Sequence, residues 1–194
     1  MWPKRMNLTR HADKRARTVI EVILNSRCVR KLRRELCAAG SREIGGVLAA
    51  EQVGDGCFLV VDLSVQRNGT YSHFERDPIQ HREFIRRFHE RMGHKPERFN
   101  YLGEWHSHPA FPATPSDVDF CQMQSLVEDV EQKSTFLVLV VVKLGLNGEL
   151  RGSAYGFRPG FAPLRGWLRS IEKGAIQEDF FTRNLDSRKW KAKA

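Results

Sequence analysis

The sequence predicts an α/β (α+β) sandwich, a mixed and mainly antiparallel sheet flanked by helices. Three observations point there. Strand-like and helix-like segments are interspersed without the regular alternation of a doubly wound parallel sheet. Two strand pairs are joined by glycine turns, Gly54-Asp55-Gly56 and Asn147-Gly148, the mark of antiparallel hairpins. The chain has 194 residues, 41% of them hydrophobic, enough to bury one core.

The elements follow in order. Thr18 to Leu24 is β-branched and apolar and reads as a strand. Val29 to Ala39 carries Val29, Leu32 and Leu36 at helical spacing with basic residues between, and Gly40 closes it. Ile44 to Ala50 reads as a buried strand whose glycines, Gly45 and Gly46, let a backbone or ligand come close. Cys57 to Val65 is its hairpin partner. Ile79 to Met92 is helical, with Phe84, Ile85 and Phe88 on one stripe and Gly93 as the stop. Phe99 to Trp105 is a strand, Pro115 and Ser116 open a helix through Val130, and Thr135 to Lys143 pairs with Glu149 to Phe157. Pro159 and Pro163 then interrupt the chain before a basic amphipathic segment, Leu164 to Lys173. These limits give a folded domain over 18–160, a basic N-terminal leader over 1–17 and a basic amphipathic C-terminal extension over 161–194.

Composition excludes some functions and leaves others open. The longest apolar run, Phe136 to Val142, is far short of the roughly 20 residues that span a bilayer, so no membrane association and a cytoplasmic location are expected. Cys28, Cys37, Cys57 and Cys121 show no C-x-x-C pairing and read as small hydrophobes. The net charge of +9 and pI near 9.7 suit nucleic acid, an acidic partner or plain solubility. No aromatic-interleaved recognition motif accompanies that charge.

The chemistry is concentrated at residues 104–119. On a strand continued from Trp105, His106 and His108 point to one face. Asp119 follows eleven residues later, one turn into a new helix, with chain enough to return beside them. Two imidazoles and a carboxylate leave a tetrahedral zinc one open position for water, the ligand count of a catalytic site. Such a metal lowers the pKa of that water to about 7. Two glutamates compete to take its proton: Glu104, on the face of His106, and Glu43, before Gly45-Gly46. The residues alone do not choose between them. Ser116-x-x-Asp119 also has the form of a helix capping box.

His106-Ser-His108-Pro109, then Ser116 and Asp119, resembles the complete motif of the JAMM (MPN+) metallopeptidases, and Glu43-Ile-Gly-Gly-Val-Leu48 resembles the family's upstream partner segment. The resemblance covers roughly Thr18 to Phe157 and is to the prokaryotic JAB-type branch. It implies a cytidine-deaminase-like architecture, one zinc per chain held by His106, His108 and Asp119, Glu43 as acid/base, and Ser116 as oxyanion or water stabiliser. It thereby prefers Glu43 to Glu104. It further implies hydrolysis of the amide after the C-terminus of a ubiquitin-like protein, by deconjugation or precursor processing. Activating and conjugating enzymes would be neighbours, including in anti-phage operons. A RadC-like protein of DNA metabolism is the alternative, though that branch carries His-Asn-His-Pro where this chain has Ser107. A non-catalytic MPN interaction module is a second alternative, and the intact ligand set argues against it.

The other histidines read as structural. His89 and His94 are at i+5, about 140° apart on a helix, and do not share a metal. His81-x-Glu83 lacks the P-C-x-x-C half of a deaminase site. Both pairs are expected on a solvated helix face; His73 is a candidate to line a substrate groove. Trp105 is expected to be core packing.

Overall fold

The computed structural model describes residues 20–71, 76–132, 134–171 and 174–175. The sequence expectations for the basic leader, for His73 and for the chain beyond 175 lie outside these residues. The elements run β1 (Glu21–Leu24), α1 (Ser26–Ala39), β2 (Gly45–Gly54), β3 (Cys57–Leu63), α2 (Pro78–Arg91), β4 (Phe99–Ser107), α3 (Asp117–Glu128), β5 (Leu137–Leu144), β6 (Leu150–Phe157), β7 (Leu164–Ser170) and β8 (Gly174–Ala175).

The strands are hydrogen-bonded in the order β1-β3-β2-β4-β5-β6-β7-β8, and β1 also pairs with β7. The sheet is mixed and mainly antiparallel, as expected, with parallel pairing at β1–β3, β1–β7 and β4–β5. The expected sandwich is corrected, however: the β1–β7 pairing closes the strands β1 to β7 into a barrel. Residues 164–170, read from sequence as part of a basic extension, form the strand that makes the closure. Closure removes the unpaired edges that an open sheet would expose.

One cluster fills the inside. It joins Val22 and Leu24 of β1, Leu48 of β2, Phe58 of β3, Leu102 and Trp105 of β4 and Val140 of β5 to Leu32 and Leu36 of α1. Full burial of each such large side chain contributes about 1.5–3 kcal/mol, so this cluster supplies most of the driving force for folding. Helix α1 can present that stripe because its ends are fixed locally. The Asn25 side chain accepts from Cys28 N–H at 2.8 Å, and Gly40, with φ 61°, turns the chain out. A second cluster lies on the outer face, where Phe120, Met123 and Val127 of α3 cover Leu139 and Val141 of β5 and Tyr155 and Phe157 of β6. Helix α2 lies on this face too, with His81 packed at 4.8 Å on Tyr101, which belongs to the second cluster.

Strand β4 carries the irregularity that serves the site. Its register against β2 shifts between Leu48↔Gly103 and Ala49↔Tyr101, leaving Leu102 as an extra residue. Gly103 has φ 149°, and a Cβ there would lie 2.0 Å from Val138 O, so no other residue fits. The bulge resets the alternation. Leu102 and Trp105 both enter the interior, while Tyr101, Glu104 and His106 share the outer face. Trp105 is buried, as expected, and donates Nε1–H to Ser64 O at 2.9 Å.

Candidate metal centre

Three elements bring the ligands together. His106 is the penultimate residue of β4, held between β2 (Gly45↔His106) and β5 (His106↔Val141). His108 lies just beyond, its N–H donating to Val142 O at 3.0 Å, so it continues the pairing with β5 for one more bond. Asp119 is the third residue of α3. The Ser116 hydroxyl accepts the Asp119 N–H at 3.2 Å, and Asp119 Oδ2 accepts from Ser116 N–H and Oγ–H, both at 2.6 Å. The capping box and the ligand are therefore the same residues: the cap turns the carboxylate toward the histidines.

His106 Nε2 stands 3.1 Å from His108 Nε2 and 3.5 Å from Asp119 Oδ1; His108 Nε2 is 3.7 Å from Asp119 Oδ2. Donors bonded at about 2.0–2.1 Å to a tetrahedral zinc are separated by about 3.3–3.4 Å. The two imidazole nitrogens stand close to that edge length, and the three ligand atoms, one per residue, all lie within 4.8 Å of one another. His108 Nδ1 donates to Pro112 O at 2.9 Å, which turns the lone pair of Nε2 inward, as metal-bound histidines require. Burial, and then the neighbouring His106, push the His108 pKa down and keep the ring neutral. Burial alone would raise the Asp119 carboxyl, but His106 and the two Ser116 bonds outweigh it and hold the group well below the ordinary carboxylate range. Both histidines are buried and Asp119 is half-buried. The residues fit a divalent metal, and among the described residues this is the one group that does.

The eleven-residue gap from His108 to Asp119 is closed by three side chains holding three consecutive carbonyls. Lys143 Nζ donates to Phe111 O at 2.8 Å, His108 Nδ1 to Pro112 O, and Ser153 Oγ to Ala113 O at 2.7 Å. These come from β5, the end of β4, and β6. Sequence reasoning missed Lys143 and Ser153; nothing about a lysine or serine in a strand marks it as a loop anchor.

Glu43 is 95% buried, with 5% relative exposure. Its N–H donates to Thr70 O at 2.7 Å, while Ile44 N–H donates to Ser107 Oγ at 2.9 Å and Ser107 N–H to Ile44 O at 2.8 Å. These bonds carry the contact one residue beyond the Gly45↔His106 pair, to Ile44 and Ser107. At Gly46 a Cβ would lie 2.4 Å from Ser64 O, so the glycine admits a backbone rather than a ligand. Glu104 also shares the His106 face, but it forms an ion pair with Arg76 and lies 3.5 Å from the Tyr101 hydroxyl. Burial, partly offset by Arg76, pushes its pKa up.

Of the other described histidines, His81 and His89 lie on α2 and none joins the metal-ligating group. His94 lies past the end of α2 with φ 53°. His81 is corrected from a solvated to a half-buried residue against Tyr101, and burial takes its pKa down to about 4. All four cysteines are free, with Cys28 buried and Cys37 and Cys121 exposed. No helix among the described residues is long and apolar enough to cross a membrane.

Comparison with known proteins agrees with this geometry. The family model of prokaryotic homologues of the JAB domain matches residues 25–151. Among solved structures, protein DSY2949 from Desulfitobacterium hafniense, determined in solution, is similar with a TM-score of 0.58 and 19% identity, over 78% of this chain and 94% of that one. That likeness is one of fold. No curated protein matches. With a matching model over well more than half its length, and with the paired histidines and the helix-borne aspartate in place, the chain belongs to the family of prokaryotic JAB-domain proteins.

Proposed function

We propose that this chain is a zinc-dependent isopeptidase or peptidase that hydrolyses the amide after the C-terminus of a ubiquitin-like protein. The observation that supports the reading is the group His106, His108 and Asp119, whose ligand atoms lie within 4.8 Å of one another, with the buried Glu43 next to Ile44, which is bonded to Ser107 between the two histidines. His106, His108 and Asp119 hold the metal, which when bound acidifies a water and polarises the scissile carbonyl. Glu43 accepts the proton of the attacking water at its carboxylate and passes it to the departing nitrogen. The strand pairing through Ile44 and Ser107 fixes the backbone from which Glu43 reaches, so the proton acceptor is oriented before substrate arrives. Ser116 orients Asp119 and, by turning its hydroxyl, also stabilises the developing oxyanion. The resemblance of Glu43-Ile-Gly-Gly to the family's upstream segment favours Glu43 over Glu104, which is paired with Arg76, as the base. The complete donor set supports this reading over that of a non-catalytic module.

The basic surface suits an acidic substrate or partner, and activating and conjugating enzymes are its neighbours on this reading. The test uses a ubiquitin-like protein joined through its C-terminal carboxyl to a lysine side chain. Glu43→Gln should keep fold and metal yet lose about 10²–10⁴-fold in turnover. Retained activity in Glu43→Gln, together with loss in Glu104→Gln, would transfer the role to Glu104.

A further inference from the structure

Helices α1 and α2 treat their charge in opposite ways. On α2 the cations are neutralised along the helix itself: Arg86 pairs with Glu83 and Glu90, and Arg87 with Glu83. On α1 the residues Arg27, Arg30, Lys31 and Arg34 follow an i, i+3, i+4, i+7 spacing and make one stripe about 10 Å long. Arg27, Arg30 and Arg34 are exposed, whereas Glu35, the only acid of the helix, is buried. Such a stripe works against the helix that bears it. Like charges at i, i+3 and i+4 repel, and a first turn with Arg27 and no acidic residue opposes the helix dipole.

The surroundings add to this charge. Glu35 is flanked by Arg34 and Arg67, and Asp62 of β3 by Lys31 and Arg91. With Arg27 and Arg30, six cations meet two carboxylates in a band that runs from Arg91, the last residue of α2, across α1 to Arg67. None of these residues belongs to the metal centre.

We propose that this band docks the phosphate backbone of duplex DNA without regard to base sequence. A helix that keeps an unfavourable charge pattern marks a functional surface. Guanidinium forks match phosphate oxygens, and every cation of the band except Lys31 is an arginine. An acidic protein partner needs apolar anchors at the centre of its interface, and none of the large exposed apolar side chains lies on α1. Single strands are held by stacking on aromatic rings, and α1 has none. The major groove of B-form DNA, about 12 Å wide, admits the side of a helix, whereas the deep, narrow groove of A-form RNA does not.

Fluorescence anisotropy of the full chain with two short labelled DNA duplexes of unrelated sequence tests the proposal. The wild type should bind both within about twofold of each other, with affinity falling steeply between about 50 and 200 mM salt. Arg27→Gln/Arg30→Gln should weaken both about tenfold and make the log–log salt slope shallower by about two. Its Tm should not fall, because the change relieves repulsion along α1. Arg27→Lys/Arg30→Lys should keep the slope, and Arg86→Gln/Arg87→Gln should leave affinity and slope unchanged. A wild type that does not bind, an unchanged slope or a lower Tm in Arg27→Gln/Arg30→Gln, or an equal loss in either control variant would overturn the proposal. So would displacement of the duplex, as readily as by unlabelled DNA, by poly-glutamate or by duplex RNA at matched charge; the first result would point to an acidic protein and the second to RNA.

Discussion

Two loops frame the metal centre, and they are held in opposite ways. The loop from His108 to Ser116 is short, and three of its consecutive carbonyls are held by side chains: Lys143, His108 and Ser153. The segment from Ser64 to Asp77, described apart from residues 72–75, is held chiefly by one buried residue of its own. Gln66 pairs with Gly45 through its backbone (2.7 and 3.2 Å) and spans to Asp77 through its side chain (2.9 and 3.1 Å). Next to it, Arg67 forms an ion pair with the buried Glu35 of α1. On the proposed function, the first loop delivers Asp119 to the metal and the second supports the base Glu43 through Thr70. Ligation and proton transfer would then be anchored in different parts of the barrel and be separable by substitution.

The largest separation is expected at His108. Its replacement by alanine removes a ligand and releases Pro112 O together, so metal affinity should fall by more than about 100-fold in a chelator competition. His106→Ala should lose the metal while leaving the loop pinned. Ser153→Ala should act on the same loop more gently. It removes the Ser153 bond to the buried Ala113, costing about 1–3 kcal/mol in urea unfolding and weakening the metal about tenfold. Gln66→Leu should cost a similar 1–3 kcal/mol, about two lost hydrogen bonds, and reduce kcat while metal affinity changes less than about twofold. Equal effects of Ser153→Ala and Gln66→Leu on the metal would show that the two loops act as one.

The smallest effect belongs to His81, on the helix that follows the second loop. Burial first, then Arg76 and Arg82, take its folded pKa from the ordinary 6.5 down to about 4. The unfolded chain thus binds a proton that the folded chain refuses, and stability is complete above pH 6.5 and declines as pH falls through about 4. In metal-free protein, the drop in Tm over that interval should be shallower in His81→Gln than in the wild type.

The site was more legible in the sequence than the fold around it. Ligand chemistry needs particular residues at particular spacing, and the two histidines, Ser116 and Asp119 announce themselves that way. Strand alternation also placed Glu104 correctly on the His106 face, although the bulge at Gly103 was needed to keep Leu102 off it. Barrel closure was not legible. Strand β7 turns Gly166, Leu168 and Ser170 inward and exposes Arg165, Trp167 and Arg169, so it shows no apolar period of two. Its pairing with β1 joins segments about 145 residues apart, a long-range contact that no local pattern encodes. His81 was misjudged for a related reason: its neighbours on α2 are charged, and only the tertiary approach of Tyr101 buries it.

On the proposed function, His106, His108 and Asp119 together hold one metal ion. Elemental analysis of the purified wild type, His106→Ala and Asp119→Ala proteins tests it most directly. The prediction is close to one zinc per chain in the wild type and less than about a tenth of that in either variant, with circular dichroism unchanged. A wild type that remains metal-free after exposure to zinc, or variants that retain it in full, would contradict the claim.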